Sequence, residues 1–389
     1  MDYNEAAMRM HREHRGKIEV RGKVQVRDRD GLSTAYTPGV AEPCREIVRR
    51  PEAVWELTAR GSFVAVVSDG SAVLGLGNIG PLAAMPVMEG KALLFKEFGG
   101  VDAVPICLDV HEPAEIIAAV RALAPSFGGI NLEDISAPKC FEIEEALERE
   151  LDIPVFHDDQ HGTAIVVSAA LTNALKVAGR QLPDCRIVLN GPGAAGTAIT
   201  KMLLTLGARD ITVCDRAGAI FRGREGLSGH KLRLAELTNP ENRRGTLAEV
   251  LRGADVFIGV SSGGLVSKDM VRSMAKGPVV FAMANPTPEI AYEEALEAGA
   301  CVAGTGRSDC PNQINNVLAF PGVFRGALSV RAREINSAMK AAAVEALAGL
   351  VGDSLAPEHI IPDPFDERAP LAIAEAVAKA AVESGVARL

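Results

Sequence analysis

Short apolar runs alternate with longer stretches of helical character along most of this chain. Residues 1–60 read as mixed helix and loop, with a turn-like TPGV at Thr37–Val40. From Ser62 onward, Phe63–Val67, Val104–Val110, Gly129–Leu132 and Ile153–Phe156 read as buried strands, because they are short, apolar and mostly bounded by turn residues. Gly162–Ala178 has strong helix character and ends at Gly179, a natural C-terminal cap. The alternation then becomes regular. Strands are expected at Arg186–Leu189, Ile211–Cys214, Ala254–Val260 and Pro278–Met283, with helices at Ala194–Leu206, around Leu247–Arg252 and over Ser267–Ala275. Such alternation implies parallel sheets covered on both faces, an α/β fold. The boundary between the halves is expected near 150–165, giving an N-terminal α/β domain over 1–160 and a second α/β domain over 161–389. A Pro-rich connector, IIPDPFDERAP at 360–370, leads into an Ala-rich terminal helix over 372–387, expected to pack against the second half.

The spacing G-x-G-x-x-G occurs twice. Gly75, Gly77 and Gly80 match it, but Pro81 and Pro86 follow at once and argue against a long uninterrupted helix. The second copy lies in IVLNGPGAAGTAITKMLLTLGARDITVCD, where a strand leads in, a helix leads out and a second strand ends at Asp215. Glycines there permit a tight turn and close approach of a pyrophosphate, whose charge rests on free N–H groups at the helix start. Asp215, 19 residues after Gly196, is in range of an adenosine ribose. A Rossmann-type, doubly wound dinucleotide-binding domain is therefore expected, with Gly191, Gly193, Ala194, Ala195, Gly196 and Asp215 at the cofactor. Asp215 leans the choice towards NAD. Arg216 beside it, with Arg222 and Arg224 close in sequence, leaves NADP open.

Composition narrows the class. Hydrophobic residues make up 48% and charged residues 23% of 389, which is ordinary for a globular protein and too apolar for disorder. Forty-one basic against 50 acidic residues leave a net charge of −9, so no nucleic-acid partner is expected. Seven scattered cysteines, never spaced C-x-x-C, suggest neither a disulfide framework nor a thiolate metal site, and a reducing cytoplasm fits best. The charged N-terminal segment lacks the apolar core of a signal peptide, and no apolar run reaches the roughly 18 residues of a membrane helix.

The acidic residues carry the next signal. Glu133–Asp134 closes one expected strand and Asp158–Asp159 the next. Side chains leaving the C-terminal ends of neighbouring parallel strands converge on one crevice, where several carboxylates repel one another unless a cation is present. Oxygen-only ligands favour Mg²⁺ or Mn²⁺. His157 and His161 have the spacing of a zinc pair, but no third nitrogen or sulfur ligand accompanies them, and packing explains them better. Taken alone, Lys91 and Lys96 read as solvated surface charges, and Tyr36 as a packed ring with a wet hydroxyl.

Several segments together resemble malic enzymes: STAYTPGVAEPCREI, SDGSAVLGLGNIGPLAAMPVMEGKALLFKEFGGVDAVPICLDV, NLEDISAPKCFEIEEAL, FHDDQHGTAIV, FAMANPTPEI and NQINNVLAFPGVFRGAL. The matches run from about residue 15 to past 330, and the length resembles the small-subunit prokaryotic type. The resemblance implies an N-terminal malic domain, oxidation of L-malate by NAD(P)⁺, decarboxylation to pyruvate and CO₂, and a homodimer or higher homo-oligomer. It implies Glu133, Asp134 and Asp159 as metal ligands, with Asp158 beside the metal as a proton-transfer or orienting acid. Lys91 becomes the base for the malate hydroxyl and Tyr36 the acid at the enolate carbon. Asn285 and Asn316 match positions that bind the substrate carboxylate, and Asn285 also borders the cofactor. There is one departure. Larger eukaryotic members carry a carboxylate-gripping arginine where this chain has Ala72.

Two other readings remain to be weighed. The same scaffold could convert malate to lactate without net cofactor reduction, or only decarboxylate oxaloacetate. A non-catalytic nucleotide sensor is disfavoured, because a sensor has no need of Tyr36, Lys91 and all the carboxylates together.

Overall fold

A computed structural model describes residues 2–73 and 75–389. The first sheet is built from β1 (Phe63–Ser68), β2 (Asp102–Cys107), β3 (Gly129–Leu132) and β4 (Val155–His157), in the order β2-β1-β3-β4. All its pairings are parallel, so each strand returns through a crossover helix, Gly80–Gly99, Pro113–Leu123 or Lys139–Glu150. Val64 to Val67 and the Ile130 and Leu132 side chains are wholly buried, which explains why these strands read as continuous apolar runs.

The second sheet contains β5 (Arg186–Asn190), β6 (Asp210–Asp215), β7 (Gly218–Ala219), β8 (Val256–Gly259), β9 (Val279–Ala282) and β10 (Val302–Thr305). Its order is β10-β9-β8-β5-β6-β7, parallel except for β7, which returns antiparallel on β6. From β5 the chain moves to β6 on one side and later to β8 on the other. The crevice between β5 and β8 is thus a topological switch point, where doubly wound sheets take their ligands. Strands β7 and β10 were not anticipated. The first is two residues long, and the second, in ACVAGTG, is too rich in small residues to stand out by hydrophobicity.

The helix Asp158–Val177 joins the sheets and is buried along most of its length. It begins earlier than its apolar part suggests, because two carboxylates in its first turn favour the positive end of a helix. A long helix also follows the first glycine motif, against expectation: Gly80–Gly99 contains both prolines. Pro81 lies in the first turn, where no N–H is needed. Pro86 cannot bond the carbonyl of Leu82, a residue on the exposed side of the helix at 92% exposure.

The C-terminal segment reaches back towards the first sheet. The terminal helix, Arg368–Glu383, packs on Phe320–Ser329 and Ser337–Gly349. Phe320–Ser329 in turn packs on Gly80–Gly99, beside the first sheet. Phe320 and Phe324 drive this return. They meet Phe95 edge-on at 4.7 and 5.3 Å, and Phe324 meets Phe156 at 5.7 Å, all four rings being fully buried. At the other end, none of the described residues up to Arg50 is buried. Among the described residues no helix is long and apolar enough to cross a membrane.

Candidate active site

The C-terminal ends of both sheets face one cleft of about 840 Å³. Its walls are the turns after β1 (Ser71, Ala72, Val73, Gly75 and Gly77), β3 (Asp134 to Ala137), β5 (Gly193 to Ala195), β8 (Val260 to Ser262) and β9 (Met283 to Asn285), closed by Asn315 and Asn316. Strands β3 and β4 are parallel neighbours, so Glu133–Asp134 and Asp158–Asp159 leave their ends side by side. One oxygen from each of Glu133, Asp134 and Asp159 lies within 4.8 Å of the others. Asp134 holds a left-handed backbone, φ 53°, and its N–H donates to Asp159 Oδ2 at 2.8 Å.

These carboxylates are electrostatically unsettled. Burial, then the charges of Asp159 and Glu133, pushes Asp134 up to about 8. Burial also raises Glu133, although Lys91 opposes it, and raises Asp158 to about 7. Asp134 Oδ2 is buried without a hydrogen-bond partner. An all-oxygen donor set with an orphaned oxygen and mutual repulsion fits a hard divalent cation, Mg²⁺ or Mn²⁺.

Lys91 is presented by the helix Gly80–Gly99 and is 8% exposed, not a surface charge. Its Nζ lies 2.6 Å from Asp158 Oδ2, 2.9 Å from Glu133 Oε1 and 4.1 Å from the centre of the Phe320 ring. Burial pulls its pKa down, but Asp158 and Glu133 outweigh this and hold it above the ordinary lysine value. Asn316 Nδ2 donates to the same Asp158 oxygen at 2.5 Å. Asn285 lines the cleft from the turn after β9. Ala72 lines it too, its N–H bonded to Asp134 O at 2.9 Å, and no lysine or arginine is among the described residues of the wall.

At the dinucleotide end, Gly193 caps the helix Ala194–Thr205, and Ala194 and Ala195 face the cleft. A Cβ on Gly196 would lie 1.8 Å from Gly191 O, so only glycine lets the turn close there. Asp215 ends β6, but Arg216 beside it is exposed and makes no ion pair with it. Arg224 instead grips both Asp215 oxygens at 2.8 and 2.9 Å, and Lys231 reaches Oδ2 at 2.8 Å. Lys231 carried no sequence signal beyond lying on the helix Gly229–Leu237 that follows β6.

Three other expectations meet the structure here. Tyr36 is 67% exposed at the end of the helix Arg29–Ala35 and is not among the residues lining the cleft. His157 is fully buried, and His161 Nε2 lies 3.0 Å from Glu144 Oε1; neither belongs to the oxygen cluster. Lys96 is a surface charge paired with Asp102 at 2.6 Å. Sequence reasoning missed Asp69 and Lys139. Lys139 pairs with buried Asp69, Asp69 accepts from Ser71 Oγ at 2.6 Å, and Ser71 Oγ accepts from Ser136 N–H at 2.9 Å. The network ties the turn after β1 to the turn that carries Glu133 and Asp134.

Comparison with known proteins agrees with this geometry. Residues 160–382 match the family described as "Malic enzyme, NAD binding domain", and residues 15–115 match "Malic enzyme, N-terminal domain". The chain is 58% identical, over 100% of its length and 95% of the relative's, to a Bacillus subtilis "Bifunctional malic/malolactic enzyme". It is 58% identical to a Geobacillus stearothermophilus "NAD-dependent malic enzyme", over 96% of this chain and 78% of that one. The solved NAD-dependent malic enzyme of Thermotoga maritima superposes with a TM-score of 0.93 at 50% identity, covering 96% of this chain and 98% of that chain. On these matches, and on an α/β fold with a Rossmann-type NAD-binding half, the chain belongs to the malic enzyme family.

Proposed function

We propose that the chain oxidises L-malate with NAD(P)⁺ and decarboxylates the product to pyruvate and CO₂, using a divalent cation. One observation carries this reading: Asp134 and Asp159, clustered with Glu133, line the same cleft as a dinucleotide-binding turn, and buried Lys91 bonds Glu133 and Asp158 beside them. Glu133, Asp134 and Asp159 would hold the cation, which would supply positive charge to stabilise an enolate oxygen, and a bound nicotinamide would supply the hydride acceptor.

The chain's own groups move the protons. Lys91 gives its proton to the Asp158 carboxylate, 2.6 Å away, and the neutral amine then takes the malate hydroxyl proton. Asn285 and Asn316 orient the substrate carboxylate with neutral donors, in place of the arginine absent at Ala72. Malate, Mn²⁺ and NAD⁺ or NADP⁺ should yield reduced cofactor and pyruvate one for one. The name of the Bacillus relative favours a second reading, malate to lactate. Lactate accumulating without net cofactor reduction would establish it.

Tyr36 needs a second copy of the chain to act. It lies on an N-terminal segment in which no described residue is fully buried and Tyr3, Met8, Val20, Val24 and Val48 are exposed. A homodimer that covers this apolar surface brings Tyr36 to the partner's cleft, where its hydroxyl protonates the enolate carbon. Mixing inactive Tyr36→Phe and Lys91→Ala chains under exchange conditions should then restore up to a quarter of the wild-type rate, on the order expected for random pairing with one intact site per heterodimer. No recovery in a mixture shown to contain heterodimers would place both groups in one chain.

Cofactor choice follows from Asp215. Arg224, Lys231 and the Ala217 N–H already occupy its oxygens, and the group carries one net positive charge. A 2′-phosphate is therefore tolerated there, so both NAD⁺ and NADP⁺ are expected to serve. Lys231→Ala should raise KM for NADP⁺ about tenfold more than KM for NAD⁺, in line with the loss of a charge-assisted contact. Equal effects on the two cofactors would remove Lys231 from the ribose end. Seven free thiols fit a reducing compartment such as the cytoplasm.

A further inference from the structure

We propose that Glu289 is a positioning residue for malate oxidation, its carboxylate clamping the turns after β8 and β9 so that Asn285 faces the substrate. The proposal rests on the reading of Asn285 as a substrate ligand.

Glu289 is fully buried, and no cation pairs with it among the described residues. Its charge is met by N–H and O–H donors from two separate turns. Oε1 accepts from Ser261 N–H at 2.9 Å and from Ser261 Oγ at 3.4 Å, in the turn after β8. Oε2 accepts from Ala284 N–H at 3.0 Å, one residue before Asn285 in the turn after β9. Both turns line the cleft. The fold makes room for the carboxyl at Gly259, where a Cβ would lie 2.4 Å from Glu289 Cδ. Ser261 Oγ also accepts from Asn190 Nδ2 at 2.7 Å, so the clamp extends to the end of β5 and the dinucleotide turn.

The chemistry calls for a carboxylate here. A buried anion without a counter-ion is tolerated only when hydrogen-bond donors converge on it, and each such bond is stronger than a neutral one. Glutamine can satisfy one turn with its carbonyl, but it presents an NH₂ group to the N–H of the other. One turn then has to swing away, and Asn285 moves with it or opposite to it. A displacement of about 1 Å in an orienting group can cost on the order of 10²-fold in rate.

A double-mutant cycle tests this, with kcat, KM for malate and thermal midpoint measured for Asn285→Ala, Glu289→Gln and the double variant. The expected result is a KM for malate raised about 10- to 100-fold by Glu289→Gln. The double variant should be no worse than the poorer single, because both act through one amide. A normal Asn285→Ala enzyme would remove the underlying reading, and the proposal would fall with it. A defective Asn285→Ala enzyme beside a normal Glu289→Gln enzyme would overturn the proposal alone. Multiplicative losses, or a lowered thermal midpoint with unchanged KM, would assign Glu289 a purely structural role. If Glu289→Gln does not fold, Glu289→Asp, which keeps the charge but reaches one turn only, gives the same cycle.

Discussion

Lys91→Ala is expected to lower kcat for malate oxidation about 10³-fold, within the range of a lost general base, while NAD(P)⁺ affinity changes less than about threefold. The two effects separate because Lys91 bonds Asp158 and Glu133, at the first sheet, and makes no hydrogen bond or ion pair with the described residues of the dinucleotide turn. The loss falls on kcat more than on KM, since the proton leaves the hydroxyl only as hydride leaves the adjacent carbon. Removing the ammonium also strands two buried carboxylates, so the variant should bind protons more readily and melt earlier without a cation. Steady-state kinetics and a titration of cofactor binding check both parts. A Lys91→Ala enzyme turning over normally would remove the residue from the mechanism.

Exhaustive chelation should abolish activity, by at least about 10²-fold, and should make stability depend on pH in a specific direction. Asp158 and Asp134 have pKa values of about 7 and about 8, far above the unfolded value near 4. Between those limits the native state holds more protons than the unfolded chain, so stability falls as pH rises. The loss begins near the unfolded pKa and is complete above about 8. Cation binding reverses it, because the ion takes the place of the protons. Thermal midpoints of the chelated protein should therefore decline from about pH 5 to pH 8, and Mn²⁺ should raise them most at the alkaline end. A chelated protein with full activity, or one that gains stability as pH rises, would contradict the cation site.

Much of this was legible in the sequence, for physical reasons that differ by element. Strand β3 could be read to the residue, because a buried parallel strand is a bare apolar run between turns. The glycine turn was equally plain, since its backbone leaves few alternatives to glycine. Lys91 was not: burial of a lysine depends on carboxylates 42 and 67 residues further along, which no local pattern reveals. At Asp215, proximity in sequence pointed to Arg216, Arg222 and Arg224, and the fold selected Arg224 and added Lys231. Glu289 carries no local signal in ANPTPEI. Only the approach of the turn after β8 gives its carboxylate two jobs.

The returning phenylalanines bear on how this gene can be cut. Phe95 and Phe156 belong to the first 160 residues, yet Phe320 and Phe324 cover them. The first sheet is thus covered from two places in the chain, with the second sheet between them. A recombinant fragment ending near residue 160 would present a bare aromatic face and be prone to aggregate. Shuffling of dinucleotide modules among relatives would have to preserve both junctions, one beyond the first turn of the helix Asp158–Val177, which carries Asp158 and Asp159, and one before Phe320.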